Sequence, residues 1–209
     1  MSKTGTTNDS LAAYYRWHAG IYDATRWAFL FGRDRLIYKA GYQGGVPARI
    51  LEVGCGTGSN LVALAERFPA AKIVGLDLSA DMLDRARSKV ERYGSRIKLL
   101  HRPYDAPIAD GSKFDLIVFS YSLSMINPGY AEVLRICRAD LSATGIVAVV
   151  DFHDSRWAWF RRWMGVNHVR MEGELVDELR RQFRPLSCSF GFGCARLWRY
   201  LLFVGKAAD

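Results

Sequence analysis

The sequence predicts an α/β fold in which a mostly parallel sheet is covered by helices on both faces. From about residue 49 onward, short apolar runs alternate with amphipathic helical patterns, the order expected of repeated strand–helix units. The strand-like runs are apolar almost throughout, as in Gly145–Asp151, which is typical of strands buried on both sides. Two such runs follow one another at the end, and this predicts an antiparallel hairpin at one edge of the sheet.

The first elements precede the sheet. A helix is predicted to begin after a cap at Asp9 or Ser10 and to end near Trp27. Gly32 separates it from a short helix over Asp34–Ala40. A linker is indicated by the cluster Gly41, Gly44, Gly45 and Pro47. The chain therefore divides into an N-terminal helical segment, residues 1–45, and a main domain, residues 46–209.

The main domain supplies the strands and helices of the predicted sheet. Apolar runs bounded by polar or glycine residues predict strands at 49–53, 72–76, 96–100, 114–120, 145–151, 186–192 and 198–205. Helical periodicity predicts helices at 58–68, 79–93, 130–141 and 172–181. Ser79 is expected to cap the second of these helices.

Composition excludes several classes of protein. The 209 residues are 50% hydrophobic and 24% charged, which is ordinary for a globular domain and argues against disorder, collagen or a coiled coil. No apolar run reaches the roughly 18 residues of a membrane span, and the polar first ten residues lack the core of a signal peptide. Four widely spaced cysteines form no CxxC pair, so we expect reduced thiols rather than disulfides or zinc. Cytoplasmic residence is the expectation.

Net charge points to an anionic partner. Lys and Arg number 29 against 21 Asp and Glu, a net charge of +8 that attracts nucleic acid, anionic lipid or a phosphorylated substrate. Aromatic residues make up 13% of the chain. Basic and aromatic residues together suit RNA binding or a membrane interface, so their positions must decide between these partners.

A glycine loop is the strongest motif. The run Leu51-Glu52-Val53-Gly54-Cys55-Gly56-Thr57-Gly58 follows the first predicted strand and opens the next helix. Glycine permits a tight turn and lets a ligand approach the backbone closely. The third glycine comes one residue earlier than in a dinucleotide motif, and Glu52 suits an ammonium group better than a pyrophosphate. Asp77, at the end of the second strand, can accept hydrogen bonds from ribose hydroxyls. The two acids therefore suit S-adenosylmethionine.

The run from Glu52 to Gly58, with Asp77 and with Phe114-Asp115 opening the fourth strand, resembles class I S-adenosylmethionine-dependent methyltransferases over about residues 46–206. The resemblance implies a Rossmann-like fold with a seven-stranded, mostly parallel sheet and an N-terminal helical lid. It implies that the three loop glycines line the methionine part, that Glu52 lies near its amino group and that Asp77 holds the ribose. Further implied cofactor contacts are Tyr14, Arg26, Leu78, Met82, Pro103, Tyr104 and Ser120. Arg102 occupies the place near which an adenine-reading acid is usual, so either Asp105 or backbone groups would read that edge.

Two segments outside the glycine loop bear on the acceptor. Tyr14, His18 and Tyr22 recur every four residues on the N-terminal helix and so share one face, which either closes over the cofactor or packs on the domain. After the fifth strand, residues 155–170 carry three tryptophans and four arginines and no acid. That composition is typical of a helix in a membrane interface. Internal packing or an oligomer contact is the second interpretation, and single-stranded nucleic acid is the third.

Taken whole, the chain resembles small bacterial lipid-headgroup N-methyltransferases, above all those that convert diacylglyceryl-homoserine to the betaine lipid diacylglyceryl-trimethylhomoserine. The resemblance rests on three runs, at residues 18–27, 29–33 and 120–125. It implies a lipid substrate and peripheral association with the inner face of the cell membrane, through residues 155–170 and the N-terminal helix. Alternatives are a phosphatidylethanolamine N-methyltransferase that makes phosphatidylcholine, a quinone or small-molecule methyltransferase, and a non-catalytic membrane-binding module.

The candidate catalytic residues follow from the chemistry of methyl transfer to an amine. Positioning supplies much of the rate, but an alkylamine is mostly protonated near neutral pH, so a polar group must accept its proton or orient the neutral amine. His153, at the end of the fifth strand, is the first candidate, although it could simply cap or pack that strand end. Tyr22 is the second candidate and would reach in from the lid. Ser120 and Tyr121, at the end of the fourth strand, are further polar groups that could lie beside the cofactor sulfur. The reaction needs no metal, and the sequence has no cluster typical of a metal site.

Overall fold

The computed structural model describes residues 30–108, 111–126, 129–166, 169–171 and 173–208. The predicted N-terminal helix lies outside these residues, and so do the predicted roles of Tyr14, His18, Tyr22 and Arg26. Among the described residues, no helix is both long enough and apolar enough to cross a bilayer.

The described strands form one sheet of seven. Their bounds are β1 Arg49–Val53, β2 Lys72–Asp77, β3 Ile97–His101, β4 Phe114–Ser120, β5 Leu141–Asp154, β6 Phe183–Phe192 and β7 Arg199–Ala207. They lie in the order β3-β2-β1-β4-β5-β7-β6. Neighbours among the first five strands pair in parallel, whereas β7 pairs antiparallel with both β5 and β6. The predicted parallel sheet with an antiparallel hairpin at one edge is confirmed.

Helices cover both faces of this sheet. Their bounds are α1 Arg33–Gly44, α2 Ser59–Arg67, α3 Ala80–Val90, α4 Tyr130–Asp140, α5 Ala158–Val166 and α6 Glu174–Gln182. Along β5, Ile146 and Ala148 belong to one core, shared with α1, α2, α3 and α5. Val147 and Val149 belong to the other core, shared with α4 and α6. The alternation follows from the two-residue repeat of a strand and gives the sheet two buried faces.

The predicted linker begins later than the glycines suggested. Gly41 and Gly44 lie inside α1, which packs against β5 and β7 with Leu36 and Ile37 buried. A Cβ atom at Gly44 would lie 2.4 Å from Ile146 Cδ1, so any larger residue would have to displace the end of that side chain. The burial of this helix face outweighs the roughly 1 kcal/mol helix penalty of each glycine.

Chain direction places a crevice at the carboxyl ends of the strands. From β1 the chain proceeds outward through β2 to β3, and from β4 it proceeds to the other side through β5. In sheets of this kind, ligands bind where these two directions diverge, beside the carboxyl ends of the central strands. Ser79 begins α3 at this edge, and its side chain accepts a hydrogen bond from the Met82 N–H at 3.3 Å, which confirms the predicted cap.

Candidate functional site

The glycine loop connects β1 to α2 with left-handed backbone at two positions that leave no room for a side chain. Gly54 has φ 74° and Gly58 has φ 78°. A Cβ atom on Gly54 would lie 2.7 Å from the Cβ of Ser122, and one on Gly58 would lie 3.0 Å from the Cβ of Ala86. The loop therefore needs glycine both for its backbone conformation and for its close packing.

Asp77 ties the end of β2 to this loop. Its Oδ2 accepts a hydrogen bond from the Gly56 N–H at 2.7 Å, and its Oδ1 accepts one from the Ser79 N–H at 2.9 Å. A carboxylate can accept about four hydrogen bonds, so backbone donors and ligand hydroxyls can share it. The loop and the acid thus hold each other in one geometry before any ligand is present.

Glu52 lies beneath the loop and is buried. Its Oε1 accepts a hydrogen bond from Asn60 Nδ2 at 2.9 Å, and Asn60 Oδ1 in turn accepts one from Arg33 Nη1 at 3.3 Å. This chain of polar groups joins β1, α2 and the first turn of α1. Sequence reasoning missed Asn60, although a polar residue among the apolar positions of a short helix is a usable signal.

A cavity of about 420 Å³ opens between this loop and the strand ends. Eight of the predicted cofactor residues line it: Gly54, Gly56, Asp77, Leu78, Met82, Pro103, Tyr104 and Ser120. Glu52 and Gly58 are not among the lining residues, since the first lies under the loop and the second begins α2. Asp105 lines the cavity and Arg102 does not, and their charged groups lie 3.5 Å apart.

Apart from Tyr121, the wall that follows β4 was not predicted from the sequence. It consists of the turn after the strand and one face of α4: Tyr121, Ser122, Met125, Ile126, Gly129, Glu132, Val133 and Ile136, together with Leu30 from the chain before α1. The α4 pattern predicts an ordinary buried helix face. Only the crossing of α4 over the sheet end brings part of that face to the cavity.

Tyr121 connects the cavity to the chain before α1. It is a buried residue with φ 56°, an uncommon backbone conformation for an aromatic residue and one that clusters at functional sites. Its hydroxyl donates a hydrogen bond to the Phe31 carbonyl at 2.7 Å, and its ring centroid lies 4.7 Å from that of Phe152. Burial raises the pKa of Tyr121 above its ordinary value, so the phenol keeps its proton near neutral pH.

Two buried aspartates hold the segments that line the cavity. Asp140 accepts hydrogen bonds from the Tyr104 hydroxyl at 2.8 Å and from the Ile108 N–H at 3.0 Å, which fixes the chain after β3. Asp151 Oδ2 accepts a hydrogen bond from the Ser124 N–H at 3.1 Å, which fixes the turn after β4. Burial raises the pKa of Asp151 to about 6.

His153 is not among the cavity-lining residues, contrary to the positional argument for its catalytic role. Its ring centroid lies 4.5 Å from that of Phe190 on β6, and its carbonyl accepts a hydrogen bond from the Gly173 N–H at 3.1 Å. Burial lowers its pKa. The ring lies close to the start of α6, since a Cβ on Gly173 would be 3.3 Å from His153 Cε1. Its position therefore gives no support to the predicted proton transfer.

In the described part of the chain, no group of three or more His, Cys, Asp or Glu side chains could hold a metal ion. The four cysteines are free thiols. The arrangement is instead a backbone cradle with a fixed carboxylate beside a largely apolar cavity. Such a site can hold a nucleoside with a polar amino-acid end, and the crowding at Gly54 and the placement of Asp77 fit S-adenosylmethionine.

Two of the curated sequence relatives are methyltransferases that act on different acceptors, as their names state. The malonyl-[acyl-carrier protein] O-methyltransferase of Geobacter sulfurreducens is 32% identical over 142 residues, which cover 66% of this chain and 51% of the relative. The demethylmenaquinone methyltransferase of Bacillus velezensis is 35% identical over 118 residues, 55% of this chain and 50% of the relative. The chain thus spans about half the length of these relatives.

Solved structures share the fold at low sequence identity. The 1,6-didemethyltoxoflavin-N1-methyltransferase of Burkholderia thailandensis, solved with S-adenosylhomocysteine, superposes with a TM-score of 0.74 at 17% identity, covering 100% of this chain and 93% of that one. The N-methyltransferase NodS of Bradyrhizobium japonicum, also solved with S-adenosylhomocysteine, gives 0.70 at 19% identity, with 85% and 86% covered.

Residues 50–145 match the family described as methyltransferase domain. That match contains the glycine loop, Asp77 and the turn after β4, which are the parts that form the cavity. Residues 50–145 therefore resemble a methyltransferase domain, and the described strands form the seven-stranded Rossmann-like fold of the solved S-adenosylhomocysteine-bound methyltransferases above.

Proposed function

We propose that this chain transfers the methyl group of S-adenosylmethionine to the amine of a membrane-lipid headgroup, with diacylglyceryl-homoserine as the preferred acceptor and diacylglyceryl-trimethylhomoserine as the product. One observation supports an amine as the acceptor group. Among the described residues that line the cavity there are three carboxylates, Asp77, Asp105 and Glu132, and no lysine or arginine. These carboxylates favour a positively charged group in the cavity. The surface, by contrast, favours anions, because the chain as a whole has a net charge of +8.

The cofactor supplies an electrophilic methyl group on a positively charged sulfur. Asp77 would accept the ribose hydroxyls, while Leu78 and Met82 would flank the adenine. Glu52, under the loop and held by Asn60, would add negative potential near the amino-acid end of the cofactor. The loop backbone at Gly54 and Gly56 would approach that end closely, because neither residue carries a side chain.

An acceptor ammonium group would be attracted by the two outer carboxylates. Asp105 and Glu132 each have an arginine nearby, Arg102 at 3.5 Å and Arg135 with its Nε at 2.8 Å, but neither guanidinium belongs to the cavity wall. The carboxylates can therefore orient the amine from the cavity side. Tyr22 stays the predicted catalytic residue on the resemblance alone, since it lies outside the described residues.

Nitrogen as the accepting atom has independent support. The two solved structures compared above are both N-methyltransferases by name. Phosphatidylethanolamine offers the same amine chemistry on a different headgroup and is the nearest alternative acceptor. The net positive charge of the chain suits either lipid at an anionic bilayer.

A quinone is the second candidate acceptor. The observation that favours it is the sequence similarity to the demethylmenaquinone methyltransferase of Bacillus velezensis, together with the apolar cavity wall formed by Met125, Ile126, Val133 and Ile136. A quinone methyltransferase also works on a membrane-soluble acceptor, so membrane association alone would not separate the two candidates. The three carboxylates in the cavity favour the amine.

The decisive experiment supplies the protein with labelled S-adenosylmethionine and vesicles that contain diacylglyceryl-homoserine, phosphatidylethanolamine or demethylmenaquinone, each in turn. We expect label on the homoserine amine, identified by mass spectrometry. Label on the quinone alone would establish the second candidate. Cofactor binding by calorimetry without transfer to any of the three would support a non-catalytic module instead. Asp77→Ala is the control, because it should abolish transfer by weakening cofactor binding.

A further inference from the structure

We infer that α5 and the turn between β6 and β7 form one surface that binds an anionic lipid bilayer at the end of the sheet where the cavity lies. The surface comprises Trp157, Trp159, Trp163, Phe192, Arg162 and Arg196, and is called the aromatic end below. Residues of the β6–β7 turn were not part of the sequence prediction. The inference rests on the proposed function only in taking the acceptor to be a membrane lipid. Binding to a membrane can be measured separately, without any methyl transfer.

Helix α5 presents an apolar stripe to solvent in addition to the stripe that it buries. Phe160 and Met164 point into the core, whereas Trp159 is 61% exposed and Trp163 is 49% exposed. Trp159, Trp163 and Val166 recur at spacings of four and three residues, so they share one exposed face of the helix. A soluble helix normally exposes polar residues on that face, and large exposed aromatic groups indicate a binding surface.

The β6–β7 turn brings further aromatic and basic groups to the same end of the molecule. Phe192 is 49% exposed and lies under the guanidinium of Arg196, whose Cζ is 4.3 Å from the ring centroid. This turn is attached to the start of α5, because Ser155 Oγ donates a hydrogen bond to the Leu197 carbonyl at 2.7 Å. The rings of Phe160 and Trp198 stack with centroids 5.6 Å apart.

A short series of contacts leads from the aromatic end to the cavity. Trp198 packs edge-on against Phe31, with ring centroids 5.9 Å apart. The Phe31 carbonyl accepts the hydrogen bond of Tyr121, which lines the cavity. The aromatic end and the cavity both lie at the carboxyl end of β5, so a bilayer bound to the aromatic end would be close to the cavity. That placement suits an acceptor that stays in the membrane.

Charge selects a bilayer over a protein or a second copy of the chain. Residues 155–171 carry four arginines and no acid, and residues 190–200, around the β6–β7 turn, carry Arg196 and Arg199 and no acid. Asp154, one of the acids beside this end, is bound by Arg199 with Nε to Oδ1 at 2.7 Å. Tryptophan at headgroup depth, with arginine meeting lipid phosphate, fits this composition, whereas a second copy would bring the same positive charge against it.

The test is co-sedimentation of the full chain with vesicles of phosphatidylglycerol, compared with phosphatidylcholine and with phosphatidylglycerol at high salt. We expect binding to phosphatidylglycerol that weakens with salt. Trp159→Ala with Trp163→Ala should raise the vesicle dissociation constant roughly tenfold or more, and Arg162→Glu should do likewise. All of these side chains are exposed, so the variants should keep the wild-type circular dichroism spectrum and affinity for S-adenosylhomocysteine.

Matched controls lie at the other end of the sheet. Tyr42 is 78% exposed near the end of α1, close to where Gly44 meets the start of β5, and Arg184 is exposed near the start of β6. Tyr42→Ala and Arg184→Glu should leave vesicle binding within about twofold of wild type. Phe192→Ser should weaken binding if the turn belongs to the surface as inferred.

Three results would overturn the inference. The first is equal vesicle binding by wild type and the double tryptophan variant, and the second is an equal effect of Arg162→Glu and Arg184→Glu. The third is a wild-type dimer, by analytical ultracentrifugation, that the double variant converts to a monomer, because a second copy would then occupy the surface. Vesicle binding as expected without methylation of any lipid amine would refute only the proposed function. Methylation of detergent-dispersed lipid without vesicle binding would refute only the inference.

Discussion

Asp77 accepts two backbone hydrogen bonds and lines the cavity, so its replacement tests the cofactor site directly. In Asp77→Ala, the ligand hydroxyls lose a charged acceptor, and each such hydrogen bond contributes about 1.5–3 kcal/mol. We expect the dissociation constant for S-adenosylhomocysteine, measured by calorimetry, to rise at least about tenfold. Asp84→Ala is the control, because Asp84 is an exposed acid on α3 that pairs with Arg87. Equal affinity in both variants would contradict the site.

Asp151 predicts a pH-dependent stability of known sign. Its folded-state pKa is raised by burial from 3.8 to about 6, so the folded protein holds a proton there that the unfolded chain releases between those values. This contribution to stability is therefore complete below about pH 4 and is lost as the pH rises through 6. A shift of about two units corresponds to about 3 kcal/mol.

The measurement compares wild type with Asp151→Asn, which cannot ionise. We expect the free energy of unfolding of the wild type, relative to the variant, to fall by up to about 3 kcal/mol between pH 4 and pH 7. Comparing the two proteins removes the titration of all other groups. Parallel pH profiles in urea denaturation would mean that Asp151 has the same pKa in the folded and unfolded chain, which would contradict the raised pKa.

At the scale of single residues, the sequence predicted the part of the site that is local. Gly54, Gly56 and Asp77 lie at the ends of buried strands. The strand pattern alone was therefore enough to infer that they lie together at the carboxyl edge of the sheet. Ile136 reaches the same cavity only because α4 crosses the sheet end, and no pattern within α4 indicates that crossing. The direction of the His153 side chain could not be predicted, because β5 is irregular between Phe152 and Asp154 and strand alternation does not hold there.

At the scale of elements, Gly58 shows why the loop and α2 require glycine. Gly58→Ala adds a methyl group at φ 78°, about 3.0 Å from the Cβ of Ala86. Gly173→Ala is the matched control, since Gly173 also precedes a helix with left-handed backbone, at φ 77°, and a Cβ there would meet only the flexible His153 ring, at 3.3 Å.

Both substitutions should lose about 1–2 kcal/mol through the left-handed backbone, and Gly58→Ala should lose more because α3 must also move. Urea denaturation of the two variants measures the difference. Equal losses would mean that α2 and α3 can separate without cost and that only the backbone conformation matters at Gly58.

The element boundaries that the sequence predicted correctly belong to buried strands. β1 and β4 begin and end where their apolar runs do, at Arg49–Val53 and Phe114–Ser120. β5 begins four residues earlier than predicted, at Leu141 rather than Gly145, since Leu141 pairs with Phe114 across an irregularity in the register. Polar residues in that part of β5 conceal a strand whose existence depends on its neighbour.

At the scale of the whole molecule, strand–helix alternation was enough to predict a parallel sheet with helices on both faces. The strand order was not available from the same pattern, because the pairing of β1 with β4 joins residues far apart in the chain. The contrast in charge between the cavity, which is lined by three carboxylates, and the chain, which is positive overall, is also a property of the whole molecule. It arises only when Asp105 and Glu132, distant in sequence, meet at one opening.

The strand order also governs how the chain can fold as it is synthesised. β7 inserts between β5 and β6 although it follows both in the chain. Until residues 199–207 have left the ribosome, β5 therefore has an open edge of unpaired N–H and C=O groups along its most apolar stretch. Open apolar edges pair readily with other chains, so nascent chains that stop before β7 are the ones most exposed to aggregation. A ribosome that stalls before all of β7 has emerged would thus leave a nascent chain whose β5 edge is unpaired and open to aggregation.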